Sequence, residues 1–560
     1  MSIEYFVEGK TTTQTGGNYL TYAKEGIDHN SAVSVEQKGK DSGVSYNKAQ
    51  TVNPNDKPVN SINVTLNLFF DGTQNNKTNT QLGGSFKEAS SDKDDSYNNE
   101  FTNVARGYDA IDASAENQVS WYIEGIGTED KKSDSILKGV AQGTGSTGVV
   151  AKVAKGCKKG AEAISQRFKS LKKPISILTV NVFGFSRGAA AARHFVHVAN
   201  SPATFTYPFG RQVLQVFPPE SIEKGVFTLN DKDGSKASFI SKYGYFGACL
   251  LEQELDVKQI KFRFAGLYDT VASYGLNHRG GWGIDNDTKQ LGLDTIGGGK
   301  VNFVLHLASG DEYRDNFDLT NINSTGLYGL EFTLPGVHSD IGGSYGDGDT
   351  EISVLYCDSF DVYQNYKTHK ECEAFKKIVV EEGWYREDQL KIKYFDQKDV
   401  NYDRWWNKIS QYYGLVGTRK LYNKYDKIPL NQMFHYSKNN DVVYIEDRIT
   451  EDHSINESFL QKVYSQLSSY MNACNDIRNK YVDEYNAGKK PSKSDYINDI
   501  KKLSYLGHID PEDLKTLRNE YLHWSVKANQ IGLDAKPNND APKAKGALEA
   551  KFRKRYIQDG

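Results

Sequence analysis

One junction constrains this chain more than any other. In "ISILTVNVFGFSRGAAAARHFVHVAN" (175–200), a run of β-branched and apolar residues stops at Gly184. A serine then stands between two glycines, and alanines open a helical pattern. Gly184-Phe185-Ser186-Arg187-Gly188 has the spacing G-x-S-x-G of a nucleophile elbow, a sharp strand-to-helix turn that lifts a serine hydroxyl clear of a sheet. The turn presses the positions two before and two after the serine against neighbouring backbone, where a residue without Cβ fits. The context agrees: 175–183 reads as a buried strand, and 187–200 as a helix whose small first turn can pack on a sheet. The N–H of Arg187, at the helix start, is then placed to bind an oxyanion. The plainer alternative is a small-residue βα turn with an incidental serine.

The rest of the chain supplies the sheet this elbow needs. "SINVTLNLFFDGTQNN" holds a strand over 62–70 that ends at Asp71-Gly72-Thr73, and "NQVSWYIEGIGT" holds a second. "GTGSTGVVAKVAKGCKKGAEAISQRFKSLKKP" reads as a glycine-rich lead into an amphipathic helix. "VKQIKFRFAGLYDTVASYG" reads as a strand to Leu267, "KVNFVLHLASGDEYRDNF" as a helix, and "LYGLEFTLPGVHSDIGGSYG" as a strand ending in a loop. Strands alternating with helices predict an α/β fold, a mostly parallel sheet covered by helices, with the site beyond the strands' carboxyl ends. Residues 1–60 read as a polar arm, 61–349 as the α/β-hydrolase-like core with an insertion at about 201–256, and 350–560 as a mainly helical cap or contact region. Within the last region "DVVYIEDRI" reads as a strand.

A serine nucleophile needs a base, and the base needs a carboxylate to fix its tautomer. His194 and His197 travel away from the turn on the elbow helix, and His306 falls in an apolar helical pattern. His338 follows a strand, in a loop bracketed by Pro335, Gly336, Gly342 and Gly343, where the base belongs. Asp269, at the end of the intervening strand, is the preferred acid. Asp340 would have to fold back on His338, and Asp311 and Asp315 fall on a predicted helix. A second oxyanion donor is expected from the backbone of Gly72 or Thr73, with Asp71 bracing that turn. Asp71, Asp269 and Asp340 are candidate ligands for a hard cation, but no spacing fixes such a set. We therefore expect no metal and no cofactor. The apolar groups of "TFTYPFGRQVLQVFPP", Phe209 and Phe217 among them, either pack on the core or line an acyl slot over Ser186.

Composition excludes several functions. A net charge of −3 over 560 residues does not suit a nucleic-acid binder. Five cysteines without a CxxC pair suggest synthesis in a reducing compartment. There is no apolar run of membrane-spanning length, and "MSIEYFVEGK" is no signal peptide, so export would need a carrier. Basic residues gather between Lys152 and Lys173 and again at Lys551, Arg553, Lys554 and Arg555. They read either as a solvated face or as a surface for anionic headgroups.

Taken in order, "FFDGTQNN", "FTNVARG", "YIEGIGT", "GFSRGAAAARHF", "GLYDTVASYG", "VLHLASGDEYRDNF", "PGVHSDIGGSYG" and "LRNEYLHWS" resemble the first family of type VI secretion lipase effectors. The resemblance implies an antibacterial phospholipase, of A1 and/or A2 type, acting on membrane glycerophospholipids in the periplasm of a rival cell. It implies three partners: the phospholipid substrate, a secretion spike that carries the enzyme, and a cognate immunity protein. The family's GFSRG serine falls on Ser186, its DTV aspartate on Asp269 and its GVHSD histidine on His338. A serine carboxylesterase for soluble esters and a decayed binding module on the same scaffold are the competing readings.

Overall fold

The computed structural model describes residues 61–83, 95–132, 134, 148–208, 212–219, 225–272, 288–359, 369–396, 411–530, 533–535 and 554–560. The 1–60 arm lies outside them.

Six parallel strands form the central sheet: β1 (Ile62–Phe70), β2 (Gln118–Ile123), β3 (Ile175–Phe185), β4 (Val257–Tyr268), β5 (Val301–Ser309) and β6 (Gly329–Leu334), in the order β6-β5-β4-β3-β1-β2. Both faces of the sheet are covered. Along β1, Val64, Leu66, Leu68 and Phe70 join one apolar cluster while Phe69 joins another, and along β3 Leu178, Val180 and Val182 oppose Phe183 and Phe185. This alternation is the period-2 geometry of a strand buried on both sides. The first face is covered by Val149–Phe168, Arg187–Val198 and Ser235–Glu252, the second by Asn103–Ala110, Lys427–Lys438 and Ser458–Asn486.

The β3–β4 register shifts between Val180 and Asn181. There the Asn181 side chain accepts from Phe264 N–H (3.1 Å) and donates to Asn67 (2.8 Å), satisfying polar groups that the shifted ladder leaves behind.

Two sequence readings are corrected. Residues 301–309 form strand β5 between β4 and β6, not a helix. Their apolar run is buried on both faces, and such a run has no strand periodicity to distinguish it from a buried helix. "DVVYIEDRI" is no strand. Tyr444 makes a single bridge to Ile111, and the chain then coils at Arg448–Asp452. Among the described residues of the 201–256 insertion, strands Thr204–Thr206, Val213–Phe217 and Phe227–Asn230 form a small antiparallel sheet, followed by the helix Ser235–Glu252. The mainly helical 350–560 region also carries an antiparallel sheet, Thr350–Ser359, Tyr412–Lys420 and Leu390–Phe395.

Chain order places β2 on one side of β1 and β3 on the other. A crevice therefore opens beyond the carboxyl ends of β1 and β3, the position of binding sites in doubly wound sheets. Asp71 and Ser186 follow those two ends.

Candidate active site

Ser186 connects β3 to the helix Arg187–Val198, with φ 58° and ψ −128°. A non-glycine residue with this backbone is strained by about 1–3 kcal/mol and persists only where its surroundings impose it. Here Ser186 N–H donates to Tyr268 O (3.0 Å), and Ser186 O accepts from Ala189 N–H (3.0 Å). The two glycines are required by contact. A Cβ on Gly188 would fall on the carbonyl oxygens of Phe70 and Asp71, and one on Gly184 would lie 2.6 Å from Ala189 Cα. Ser186 is buried, with Arg187 at the first position of the helix.

His338 opens the short helix His338–Gly342 after β6, rather than lying in an open loop. Its Nδ1 donates to Asp269 Oδ2 at 2.5 Å. The ring is held between Phe185 and Phe317, with centroids 4.6 Å and 5.0 Å away. Its backbone N–H donates to Glu312 Oε2 (3.3 Å). Burial lowers the imidazole's proton affinity and Asp269 pushes it back up, leaving it below the ordinary histidine value.

Asp269 follows β4 at φ 42° and is fully buried. Its N–H donates to Leu307 O (2.8 Å), and its Oδ1 accepts from Ser309 N–H (2.8 Å). Burial alone would raise this carboxyl, but the Arg555 guanidinium and His338 hold it well below the usual carboxylate range. Beneath it, His306 donates through Nδ1 to Glu331 (2.8 Å) and accepts Thr270 N–H at Nε2 (2.9 Å), which fixes its tautomer. Glu312 is pushed up by burial, yet Arg314 beside it brings its carboxyl down to about 2.

At the end of β1, Asp71 Oδ1 accepts from Thr102 Oγ1 and Gly72 N–H (2.7 Å each), and Oδ2 accepts from Tyr122 OH (2.5 Å). Burial raises this carboxyl to about 6 against those hydrogen bonds. Asp71 therefore braces the turn, and it does so by taking the Gly72 N–H, one of the two expected oxyanion donors. Thr73 is the other.

The remaining predicted residues lie elsewhere. Asp340 binds Val337 N–H (2.9 Å) and His523 Nδ1 (2.7 Å), not His338. Asp311 and Asp315 lie in the loop after β5; Asp311 accepts from Gly336 N–H (2.8 Å). His194 and His197 bond Leu291 O (2.8 Å) and Thr295 Oγ1 (3.0 Å). Phe209 lies outside the described residues. Phe217 is half-buried on the antiparallel sheet that follows the elbow helix. That helix has 12 residues, so its far end is about 18 Å from Ser186 at 1.5 Å per residue. Leu214 and Val216, from the same strand, are used by the core.

The first basic run is largely committed within the fold. Lys152 and Lys155 bind Glu124, Lys159 binds Glu162, Lys169 binds Glu254, and Arg167 donates to backbone carbonyls. Of the second cluster, 551–553 lie outside the described residues. Arg555 is buried on Asp269 rather than presented to lipid. Among the described residues no group of three His, Cys, Asp or Glu is arranged to hold a metal ion, and no helix is long and apolar enough to cross a membrane.

Sequence reasoning missed Arg555, Glu312 and the Thr102–Tyr122 clasp on Asp71. No local spacing marks them, because each partner arrives from a distant segment.

A parallel doubly wound sheet, with a strained Ser186 turn at its carboxyl edge beside a buried Asp269–His338 pair, is α/β-hydrolase-like. The chain belongs to the Tle1-like phospholipase effectors of the type VI secretion system: that family's catalytic domain matches residues 65–361, just over half of the sequence. No curated protein matches. Among solved structures it is similar to the Tle1 effector bound to the VgrG spike of the type 6 secretion system, at 18% identity over 84% of this chain and 86% of that one, with TM-score 0.48. It is also similar to an uncharacterized protein from Pseudomonas aeruginosa (16%, 74% and 51%, TM-score 0.36) and to Thermogutta terrifontis esterase 2 phosphoramylated by tabun (12%, 59% and 86%, TM-score 0.23).

Proposed function

We propose that this effector cleaves acyl esters of glycerophospholipids, at the sn-1 and/or sn-2 position, with Ser186 as nucleophile, His338 as base and Asp269 as the residue that orients the base. The observation that carries this is the 2.5 Å Asp269–His338 hydrogen bond on a ring packed against Phe185, the residue before Ser186. With Nδ1 engaged by Asp269, Nε2 is the base. It takes the Ser186 proton as Oγ bonds to the acyl carbon, then returns that proton to the departing lysophospholipid oxygen. Water, deprotonated by the same nitrogen, releases the fatty acid and restores Ser186. Backbone N–H groups of Arg187 and Thr73 are the proposed donors to the tetrahedral oxyanion.

Family membership supports delivery by the secretion spike, action at the membrane of the target cell from its periplasm, and a cognate immunity protein in the producing cell. The test is mass-spectrometric analysis of products from vesicles of mixed-acyl phosphatidylethanolamine and phosphatidylglycerol. Wild-type protein should release one identifiable fatty acid together with lysophospholipid, and Ser186→Ala should release neither. Undiminished release by Ser186→Ala would overturn the assignment.

A further inference from the structure

The acid of the proposed triad is itself gripped by a residue 286 positions away. Arg555 donates from Nη1 to Asp269 Oδ1 (2.6 Å) and from Nη2 to Oδ2 (2.8 Å), a two-pronged pair with both side chains buried. The same guanidinium donates to Ser309 Oγ (2.7 Å), Ser309 O (3.1 Å) and Phe317 O (2.9 Å). Asp269 Oδ2 also receives His338 Nδ1. Arg555 and the imidazole therefore share one oxygen, and the fork sets the plane in which that oxygen meets the ring.

Arg555 is delivered by a seated segment. Ile557–Gln558 pairs in parallel with Leu319–Thr320. Leu319 N–H and Asn321 N–H donate to Tyr556 O (2.9 Å) and Gln558 O (3.0 Å), and Asp559 Oδ1 accepts from the side chains of Asn321 and Asn323 (2.8 Å each). The seat is tied to the site at both ends. Thr320 N–H donates to Thr270 O (2.9 Å), next to Asp269. Arg193, on the elbow helix, donates to Thr320 O (3.1 Å), Asn321 O (3.0 Å) and Leu293 O (2.9 Å).

We propose that Arg555 is a positioning residue for hydrolysis at Ser186, and that docking of residues 554–560 against Leu319–Thr320 completes the site, which turns over about 10²-fold more slowly while this segment is undocked. The inference rests on the Ser186–His338–Asp269 reading above. Without the fork, the Asp269 carboxylate keeps one bond to each oxygen, Ser309 N–H on Oδ1 and His338 Nδ1 on Oδ2. The fork adds a second, charged donor to each oxygen and neutralises a buried charge that would otherwise face only His338 and a backbone N–H. The groups facing His338 are Asp269, Glu312 and Arg314; those facing Asp269 are His338 and Arg555. Removing the Arg555 charge leaves the imidazole beside an uncompensated carboxylate, so His338 should bind its proton more tightly.

The experiment compares wild type, Arg555→Ala, Arg555→Lys, deletion of 554–560 and Ser186→Ala on a soluble short-chain ester, with complete pH profiles. Arg555→Ala should lose about 10²-fold in kcat, as expected for a misplaced catalytic group, with KM within about twofold. The acid limb of its kcat/KM profile should move to higher pH, and millimolar ethylguanidinium should restore part of the rate. The deletion should behave like Arg555→Ala. Arg555→Lys keeps the charge but not the fork, so its kcat should fall while its acid limb stays in place. If Arg555→Ala does not fold, Arg555→Lys decides: wild-type kcat there overturns the proposal, as does an unmoved limb in a folded Arg555→Ala. Activity surviving in Ser186→Ala identifies failure of the triad reading instead.

Discussion

The ring of Phe185 lies on the imidazole of His338, with centroids 4.6 Å apart and planes inclined at 34°. Phe185 is the last residue of β3 and precedes Ser186, so one side chain couples the Ser186 turn to His338. Its own position is tight: a Cβ on Gly72 would come 2.5 Å from the ring, and one on Gly342 would collide with it. Phe185→Ala should destabilise the protein by about 3–5 kcal/mol, as for other large-to-small core changes. Phe185→Leu should cost less stability but still lower kcat, because the flat wall under His338 is lost. Urea midpoints and ester turnover measured on the same preparations separate the two effects. Wild-type kcat in folded Phe185→Leu would remove Phe185 from the site.

Two aspartates near His338 in sequence or space have different partners, and substitution should separate them. Asp269→Asn should reduce kcat about 10⁴-fold with the fold retained, the loss seen when a triad aspartate can no longer hold the tautomer. Asp340→Asn should act mainly on stability, by about 1–3 kcal/mol, through its buried bonds to Val337 N–H and His523. Rates at matched folded fraction test this; a larger kcat loss at Asp340 would relocate the acid.

Gly188→Ala should be poorly tolerated, because the new methyl group has only the backbone carbonyls of Phe70 and Asp71 to displace. Overpacking of this kind costs about 1–3 kcal/mol, or more where the neighbour is rigid. Gly507→Ala is the control: no atom stands within 4 Å of its Cβ position, so its melting temperature should match wild type. Equal melting temperatures for both variants would contradict the close approach of the elbow to β1.

Among the buried groups through which acidification should act, His338 and Asp71 have opposite signs, with His194 lowered to about 4 on the side of His338 and Asp426 raised on the side of Asp71. His338 has a folded pKa below its ordinary 6.5. The unfolded chain therefore gains more protons as pH falls through that value, and stability is lost on the acid side. Asp71 is raised from 3.8 to about 6. In that interval the folded state holds the extra proton, so stability is lost as pH rises. The two slopes oppose each other. Asp71→Asn should steepen the loss of stability between about pH 6.5 and 4.5, measured by urea unfolding at half-unit steps. In wild type the acid limb of kcat/KM should fall below about pH 6.5, since His338 must be neutral to act as the proposed base. A limb above that value would conflict with a buried His338.

Much of this protein was legible in its sequence because the signals are local. Small residues around Ser186 mark the elbow, and apolar runs ending at Asp71, at Asp269 and before His338 mark strand ends. In a parallel sheet, strand ends on one edge converge, so three separate motifs predict one site. Two kinds of feature were decided only by the tertiary structure. Val301–Ser309 is buried on both faces, and its apolar run carries no period; its place between β4 and β6 makes it a strand. The partners of the buried charges were equally hidden: Arg555 on Asp269, His523 on Asp340, and Thr102 and Tyr122 on Asp71. A buried charge takes whatever donor the fold brings within hydrogen-bond reach, and 286 residues of intervening chain separate Asp269 from its arginine. Spacing along the chain holds no record of such a contact, because closure of so long a loop is imposed by the packing of everything between.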